Sequence, residues 1–186
     1  MIHHLLNIKK FIPTRHVPKI EDADFDFFYK EGKRLLLIDI DNTLIPYDKA
    51  LPDDELYALF EELLQKGFEI VLVSNNGKKR IKPFAEALGL PAVWHAKKPL
   101  KTGFKKALRI KLRRFEGNQV LVIGDQIMTD VYGARRTGLD VCLVHPLKPK
   151  TEKWFTKINR SMEQKILAKI AKKYPDTYFK LDLDER

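Results

Sequence analysis

Short apolar runs alternate with amphipathic stretches between about residues 34 and 145, and a turn or capping residue marks each change. The runs are apolar at nearly every position, which is typical of strands in a parallel sheet covered on both faces. The stretches between them have helical spacing and end at or before glycines. The pattern therefore predicts an α/β fold, an open parallel sheet with helices on both sides. The predicted strands are 34–40, 68–74, 92–95, 119–124 and 140–145, and the predicted helices are 53–66, 78–88, 102–114 and 128–137.

The C-terminal flank is more basic than the rest of the chain. Residues 148–173 contain nine Lys or Arg and two Glu, a net charge of +7. Apolar residues recur there close to the helical period, so we predict one basic amphipathic helix over 152–173. Its apolar stripe either covers the sheet, the usual use of such a stripe, or lies on a lipid surface. The stripe consists of Trp154, Phe155, Ile158, Met162, Ile166 and Ile170.

Chain length and the composition of the two termini predict how the domain is organised. The 186 residues suit a single domain, with a core over about 30–146 and a basic helical extension over about 150–175. Residues 5–12 form a weaker basic amphipathic segment. The acidic tail, 182–185, is predicted to be frayed.

Net charge and cysteine content indicate which partners the protein binds and in which cellular compartment it is found. The formal net charge of +10 at pH 7 favours polyanions, whether nucleic acid, anionic lipid or phosphorylated substrates. The sequence has no stacking-aromatic signature of an RNA-binding module, which argues against nucleic acid. One cysteine, Cys142, cannot form an internal disulfide, so we expect a cytoplasmic protein. The apolar runs are far shorter than the roughly 20 residues that span a bilayer, which leaves peripheral contact with an anionic membrane as the membrane-related option.

Two acids follow the first predicted strand directly. In an extended chain Asp39 and Asp41 would point the same way, although a turn beginning there would separate them. Such a pair suits a hard cation such as Mg²⁺, and a carboxylate can also attack phosphorus to form an aspartyl-phosphate. The plainer alternative is a strand cap followed by an Asx turn. Two adjacent acids behind an apolar strand are costly without a cation, which favours the chemical interpretation.

Polar residues also follow the next two strands. Ser74 and Asn75 precede a predicted helix, where side chains and backbone N–H groups bind phosphate readily, although both are also ordinary helix caps. Lys98 stands before a proline in a restricted loop and would present its ammonium to a phosphoryl oxygen. Taken alone, a lysine on a loop is usually just solvated.

The fourth predicted strand ends at another acid. Asp125 is placed to complete a metal site with Asp39 and Asp41, and Asp130 would orient Lys98 or a bound water. A helix cap and a surface acid are the alternatives. The joint pattern decides, because each suitable residue falls at the carboxyl end of a successive strand, where an open α/β sheet builds its site.

These motifs resemble those of the haloacid dehalogenase (HAD) superfamily of phosphohydrolases. Its four motifs are matched in order by Asp39-x-Asp41-x-Thr43, by Ser74, by Lys98 and by Gly124-Asp125-x4-Asp130. The residues at these motif positions, among them Ser74-Asn75-Asn76 and Lys98-Pro99, are similar in particular to those of the YqeG-type branch of subfamily IIIA. That branch includes phosphatidylglycerophosphate phosphatases of mitochondria and plastids. The resemblance implies a HAD-like Rossmannoid three-layer sandwich and covers about residues 30–146.

The resemblance also implies a role for each matched residue. Asp39 would be the nucleophile, and Asp41 the general acid and then the base. Mg²⁺ would be held by the side chains of Asp39 and Asp125 and by the backbone carbonyl of Asp41. Ser74, Lys98 and the backbone near Asn75 would neutralise the phosphoryl oxygens, with Thr43 and Asp130 supporting these groups.

Motif spacing bears on the substrate. The 33 residues from Asp41 to Ser74 and the 24 from Ser74 to Lys98 leave no room for a cap domain. A capless open site and a basic helix favour a phospholipid headgroup such as that of phosphatidylglycerophosphate. A soluble nucleotide, sugar phosphate or phosphoprotein is the second hypothesis, and a non-catalytic RNA- or ribosome-binding module on this scaffold is the third. A phospho-accepting receiver domain fits the acid spacing less well.

Overall fold

A six-stranded parallel sheet forms the centre of the computed structural model, which describes residues 7–111, 113–149 and 154–185, with the backbone alone for 154–158. The strand order is β1-β6-β5-β2-β3-β4. All paired strands are parallel, and β2 pairs with β3 on one side and β5 on the other. The strands are β1 (Arg15–His16), β2 (Leu35–Ile38), β3 (Glu69–Val73), β4 (Ala92–Val93), β5 (Val120–Gly124) and β6 (Asp140–Leu143).

Helices cover both faces of this sheet. Successive side chains of β2 point to opposite faces, so Leu36 and Ile38 pack on one side while Leu35 and Leu37 pack on the other. The first side is covered by α1 to α3 and the second by α4 to α6. The predicted three-layer α/β sandwich is confirmed. The helices are α1 (Phe25–Lys30), α2 (Asp54–Gln65), α3 (Lys78–Ala87), α4 (Lys101–Ile110), α5 (Tyr132–Thr137), α6 (Trp154–Lys173) and α7 (Pro175–Lys180).

The structure adds detail that the hydrophobic pattern did not contain. The two-residue strand β1 was missed, because Arg15 and His16 form no apolar run. The helix predicted over 128–137 begins instead as a π-helical turn, Ile127–Val131, and becomes α-helical only at Tyr132. Short 3₁₀ turns lie at Ile8–Phe11, Ile20–Asp22, Gly117–Gln119 and Leu183–Glu185.

The C-terminal segments pack on the core. Ile166, Leu167 and Ile170 of α6 are buried against the sheet, so this half of the amphipathic stripe covers the core. The side chains of Trp154, Phe155 and Ile158 lie outside the described residues. The prediction of a frayed tail was wrong, because Leu183 has no exposed surface and packs into the same cluster.

The N-terminal segment also packs inward. Phe11 is buried, and its ring stacks on that of Tyr132 in α5 with centroids 4.3 Å apart. Of the predicted segment 5–12, residues 5 and 6 lie outside the described residues. Within the described part of the chain, none of the helices combines the length and the apolar character that crossing a membrane requires.

Cys142 is expected to be unreactive in the folded protein. It lies in β6 with no exposed surface, and burial raises the pKa of its thiol to about 12. Because the thiolate is the reactive form, iodoacetamide at pH 8 should leave the native protein unlabelled and label it fully in urea. Mass spectrometry of both samples checks this, and rapid labelling of the folded protein would contradict the buried placement.

Candidate active site

The predicted site residues meet at the carboxyl edge of the sheet. Three of them come directly after a strand, with Asp39 after β2, Ser74 after β3 and Asp125 after β5. Lys98 lies in the loop after β4. Asp39, Ser74 and Lys98 border an open pocket of about 370 Å³. The residues that line the pocket include Asp39, Asp41, Ser74, Asn75, Lys98 and Pro99.

Lys98 lies at the centre of the site. Its ammonium donates to Asp39 Oδ1 and Asp130 Oδ1, each at 2.6 Å, and to the carbonyl of Val73 at 2.9 Å. Burial alone would lower the pKa of Lys98, but the two carboxylates and their hydrogen bonds outweigh this effect and raise it above its ordinary value. Lys98 therefore carries its charge at neutral pH and joins the end of β5 to the end of β2.

The acid cluster has more negative charge than this lysine balances. Carboxylate oxygens of Asp39, Asp125 and Asp130 all lie within 4.8 Å of one another, and the three residues are buried. Burial raises the pKa of Asp39 well above its ordinary value, and the neighbouring acids add to this against the opposing effect of Lys98. The Thr43 hydroxyl bridges two of the acids, donating within 3.3 Å of both Asp39 Oδ2 and Asp125 Oδ1. A hard divalent cation with oxygen ligands fits this set of donors.

Asp41 lies on a different wall of the pocket. A tight turn begins after β2, with Asn42 at φ 65° and the N–H groups of residues 43–45 directed to the carbonyl of Ile40. The turn, which the sequence left open, separates the Asp41 carboxylate from the acid cluster. Asp41 Oδ2 accepts from Asn76 Nδ2 at 2.7 Å and from the Ser74 hydroxyl at 3.4 Å.

Arg80 holds the other oxygen of Asp41. Its Nε and Nη2 lie 3.1 and 3.0 Å from Asp41 Oδ1, and the same guanidinium donates to the carbonyls of Pro46 and Lys49. Arg80 thus ties the loop after the first motif to the first turn of α3. Sequence reasoning missed this residue, since an arginine one turn into a basic helix has no distinguishing pattern.

Asn75 and Ser74 organise the loops around the pocket. The Asn75 side chain makes a reciprocal pair with the backbone of Lys98, accepting from its N–H at 2.6 Å and donating to its carbonyl at 3.0 Å. Ser74 Oγ accepts from the N–H of Asn76 at 3.0 Å. The Asn75 side chain therefore positions the backbone of Lys98.

Gly124 is the position where Asp130 needs space. A Cβ at Gly124 would lie 2.4 Å from Cγ of Asp130. We therefore expect Gly124→Ala to push Asp130 off Lys98, lowering the free energy of unfolding by about 1–3 kcal/mol and reducing activity. Urea unfolding and phosphate release measure the two effects. Gly32→Ala is the control, because a Cβ at Gly32 meets no atom within 4 Å and only its positive φ of 87° makes the substitution costly. If Gly32→Ala reduces activity as strongly as Gly124→Ala does, the loss does not come from the contact with Asp130.

The comparisons with known proteins agree with this geometry. Residues 4–138 match the family model of the haloacid dehalogenase-like hydrolases, so the chain belongs to that family. Within the family it is a phosphatase of the YqeG type. It is 33% identical over 166 residues to the "Probable phosphatase YqeG" of Bacillus subtilis (strain 168). The match covers 89% of this chain and 94% of the relative.

A likeness to a solved structure supports the fold alone. A hypothetical protein from Xanthomonas campestris has 20% identity and a TM-score of 0.50, covering 74% of this chain and 80% of that one. The family match and the phosphatase relative together identify the protein as an enzyme, and the family match excludes a receiver domain.

Proposed function

We propose that the protein hydrolyses a phosphomonoester through an aspartyl-phosphate on Asp39. The observation that carries this proposal is the placement of Asp39 on the wall of an open pocket, 2.6 Å from the ammonium of Lys98. An Asp39 oxygen would form a bond to phosphorus as the ester P–O bond breaks. Asp41, which also lines the pocket, would give a proton to the leaving oxygen.

The second step would return Asp39 to its starting state. Asp41 would take a proton from water, the water oxygen would bond to phosphorus, and the bond between phosphorus and Asp39 would break. Lys98 and Ser74 would hold the phosphoryl oxygens in both steps. Mg²⁺, held by the side chains of Asp39 and Asp125 and the carbonyl of Asp41, would supply charge neutralisation at those oxygens.

We further propose a phospholipid headgroup, such as that of phosphatidylglycerophosphate, as the substrate. The open pocket supports this, because the chain between Asp41 and Ser74 forms one helix and one strand, and so does the chain between Ser74 and Lys98. A phosphate displayed on a surface can reach such a site without passing a cap.

The rim of the pocket supports the same substrate class. The first turns of α3 and α4 carry exposed Lys78, Lys79 and Lys101, and the ammonium of Lys78 lies over the ring of Trp94. The helix dipole disfavours positive charge at Lys79 and Lys101, so their placement supports an external anion. Leu100 lies beside pocket-lining Pro99 and exposes 48% of its surface. An exposed apolar residue among lysines suits an anionic lipid surface.

The membrane contact would then lie at the rim of the pocket and not on the apolar stripe of α6. The apolar residues Ile166, Leu167 and Ile170 of α6 are used by the core, so they are not offered to lipid. The rim beside Leu100 would face the membrane instead, with Lys97 and Lys101 on either side.

The test compares lipid and soluble esters under the same conditions. Phosphate release from phosphatidylglycerophosphate in mixed micelles is measured with Mg²⁺ beside p-nitrophenyl phosphate. Lys101→Glu should reduce lipid turnover more than turnover of the soluble ester, because it reverses a charge at the rim. Lys30→Glu, an exposed lysine at the end of α1, is the matched control. Cleavage of the soluble ester alone would overturn the lipid assignment and leave the chemistry in place.

A further inference from the structure

The C-terminal helix α6 reaches the acid cluster from outside the motif-bearing core. Arg160 lies two turns into this helix, and its side chain is about 20% exposed while that of Asp125 is fully buried. Asn159, next to it, lines the pocket and donates to Gln126 Oε1 at 3.4 Å. The helix therefore forms part of the active-site wall.

The guanidinium of Arg160 forms two hydrogen bonds with Asp125. Its Nη1 donates to the backbone carbonyl of Asp125 at 2.8 Å, and its Nη2 donates to the carboxylate oxygen Oδ2. A guanidinium is a rigid planar fork, so the contact with the backbone carbonyl fixes the guanidinium against the chain, and the contact with Oδ2 then fixes the position of that oxygen. The Thr43 hydroxyl, which approaches Oδ1 at 3.3 Å, limits rotation from the other side.

Glu163 anchors the guanidinium one turn further along α6. This buried carboxylate accepts from Arg160 Nη1 at 3.0 Å and from the backbone N–H of Ile127 at 2.6 Å. It thereby joins α6 to the π-helical turn that follows Asp125. Because Glu163 carries a charge opposite to that of Arg160, the pair adds little net charge to the neighbouring acid cluster.

We propose that Arg160 is a positioning residue that aims the carboxylate of Asp125 at the divalent cation. This inference rests on the proposed function, in which Asp125 is a ligand of the cation. Groups that hold a metal ligand by hydrogen bonds typically change metal affinity by about 10- to 100-fold when they are removed.

The sign of the effect separates positioning from simple charge. If Arg160 acted only as a positive charge near the site, its removal would strengthen the binding of a cation. If it positions Asp125, its removal weakens binding, because the carboxylate can then turn away.

The experiment measures Mn²⁺ and Mg²⁺ binding to the full chain by titration calorimetry, without substrate. Arg160→Met removes the donors and keeps most of the stem, and we expect about 10- to 100-fold weaker binding. Arg160→Lys keeps the charge without the fork and should fall between this variant and the wild type. Lys165→Met, at an exposed position of the same helix, should bind as the wild type does.

Each outcome has a definite meaning. Unchanged or tighter binding by folded Arg160→Met overturns the proposal alone, and if that variant does not fold, unchanged binding by Arg160→Lys does so. A wild type that binds neither ion overturns this proposal together with the metal part of the proposed function.

Discussion

Asp39→Asn should lose phosphatase activity by at least about 10³-fold, because the amide has no nucleophilic carboxylate. The amide oxygen can still accept from Lys98, so the variant should fold. Phosphate release from p-nitrophenyl phosphate gives the activity, and circular dichroism gives the fold.

The control removes a carboxylate from elsewhere on the surface. Asp176→Asn changes an exposed residue in the first turn of α7 and should retain wild-type activity. If Asp39→Asn instead kept activity within tenfold of the wild type, Asp39 would not be the nucleophile.

Lys98→Met should have the largest effect on stability. Its ammonium is paired with Asp39 and Asp130, and its side chain is only 3% exposed. Removing one partner of a buried pair leaves uncompensated charge, so we expect a loss of about 3–5 kcal/mol in the free energy of unfolding. Activity should fall by about 10²-fold or more, because the phosphoryl oxygens lose a fixed cation.

The same variant should respond to Mg²⁺ more strongly than the wild type does. A divalent cation at the acid cluster would neutralise the carboxylates that Lys98 leaves behind, so Mg²⁺ should restore part of the lost stability. Urea unfolding at pH 7.5, in EDTA and in Mg²⁺, measures this response. Equal stabilisation of the two proteins by Mg²⁺ would show that the cation does not bind beside Lys98.

The pH of this comparison follows from the direction of the Lys98 shift. The folded state raises the pKa of Lys98, so its stabilising contribution is complete below the ordinary value of about 10.4 and is lost as the pH rises through the folded value. At pH 7.5 the wild type therefore retains the whole contribution.

The sequence was sufficient for elements that are fixed by local pattern. Five strands were predicted because each is an apolar run bounded by turn residues, as in Val120–Gly124. Asp39, Ser74 and Asp125 were found because each directly follows such a run, and Lys98 because it lies in the loop after one. β1 was missed because two residues carry no periodicity, and it exists only by pairing with β6.

The pattern of residues along the chain did not predict contacts between distant segments. Arg160 lies 35 residues from Asp125, and nothing in the sequence of a basic helix marks which basic side chain turns inward. Arg80 contacts Asp41 across 39 residues for the same reason. The tail was predicted to fray from its acidic composition, whereas the single apolar residue Leu183 anchors it.

Acid-quenched mass spectrometry can detect the covalent intermediate on Asp39 itself. Asp41→Asn is mixed with p-nitrophenyl phosphate, whose leaving group needs no proton, so the first step should proceed while the second lacks its base. We expect a phosphoryl group to accumulate on the peptide containing Asp39 and to be released by hydroxylamine. A phosphoryl group on another residue, or product formation by this variant with no covalent adduct at any time, would contradict this expectation.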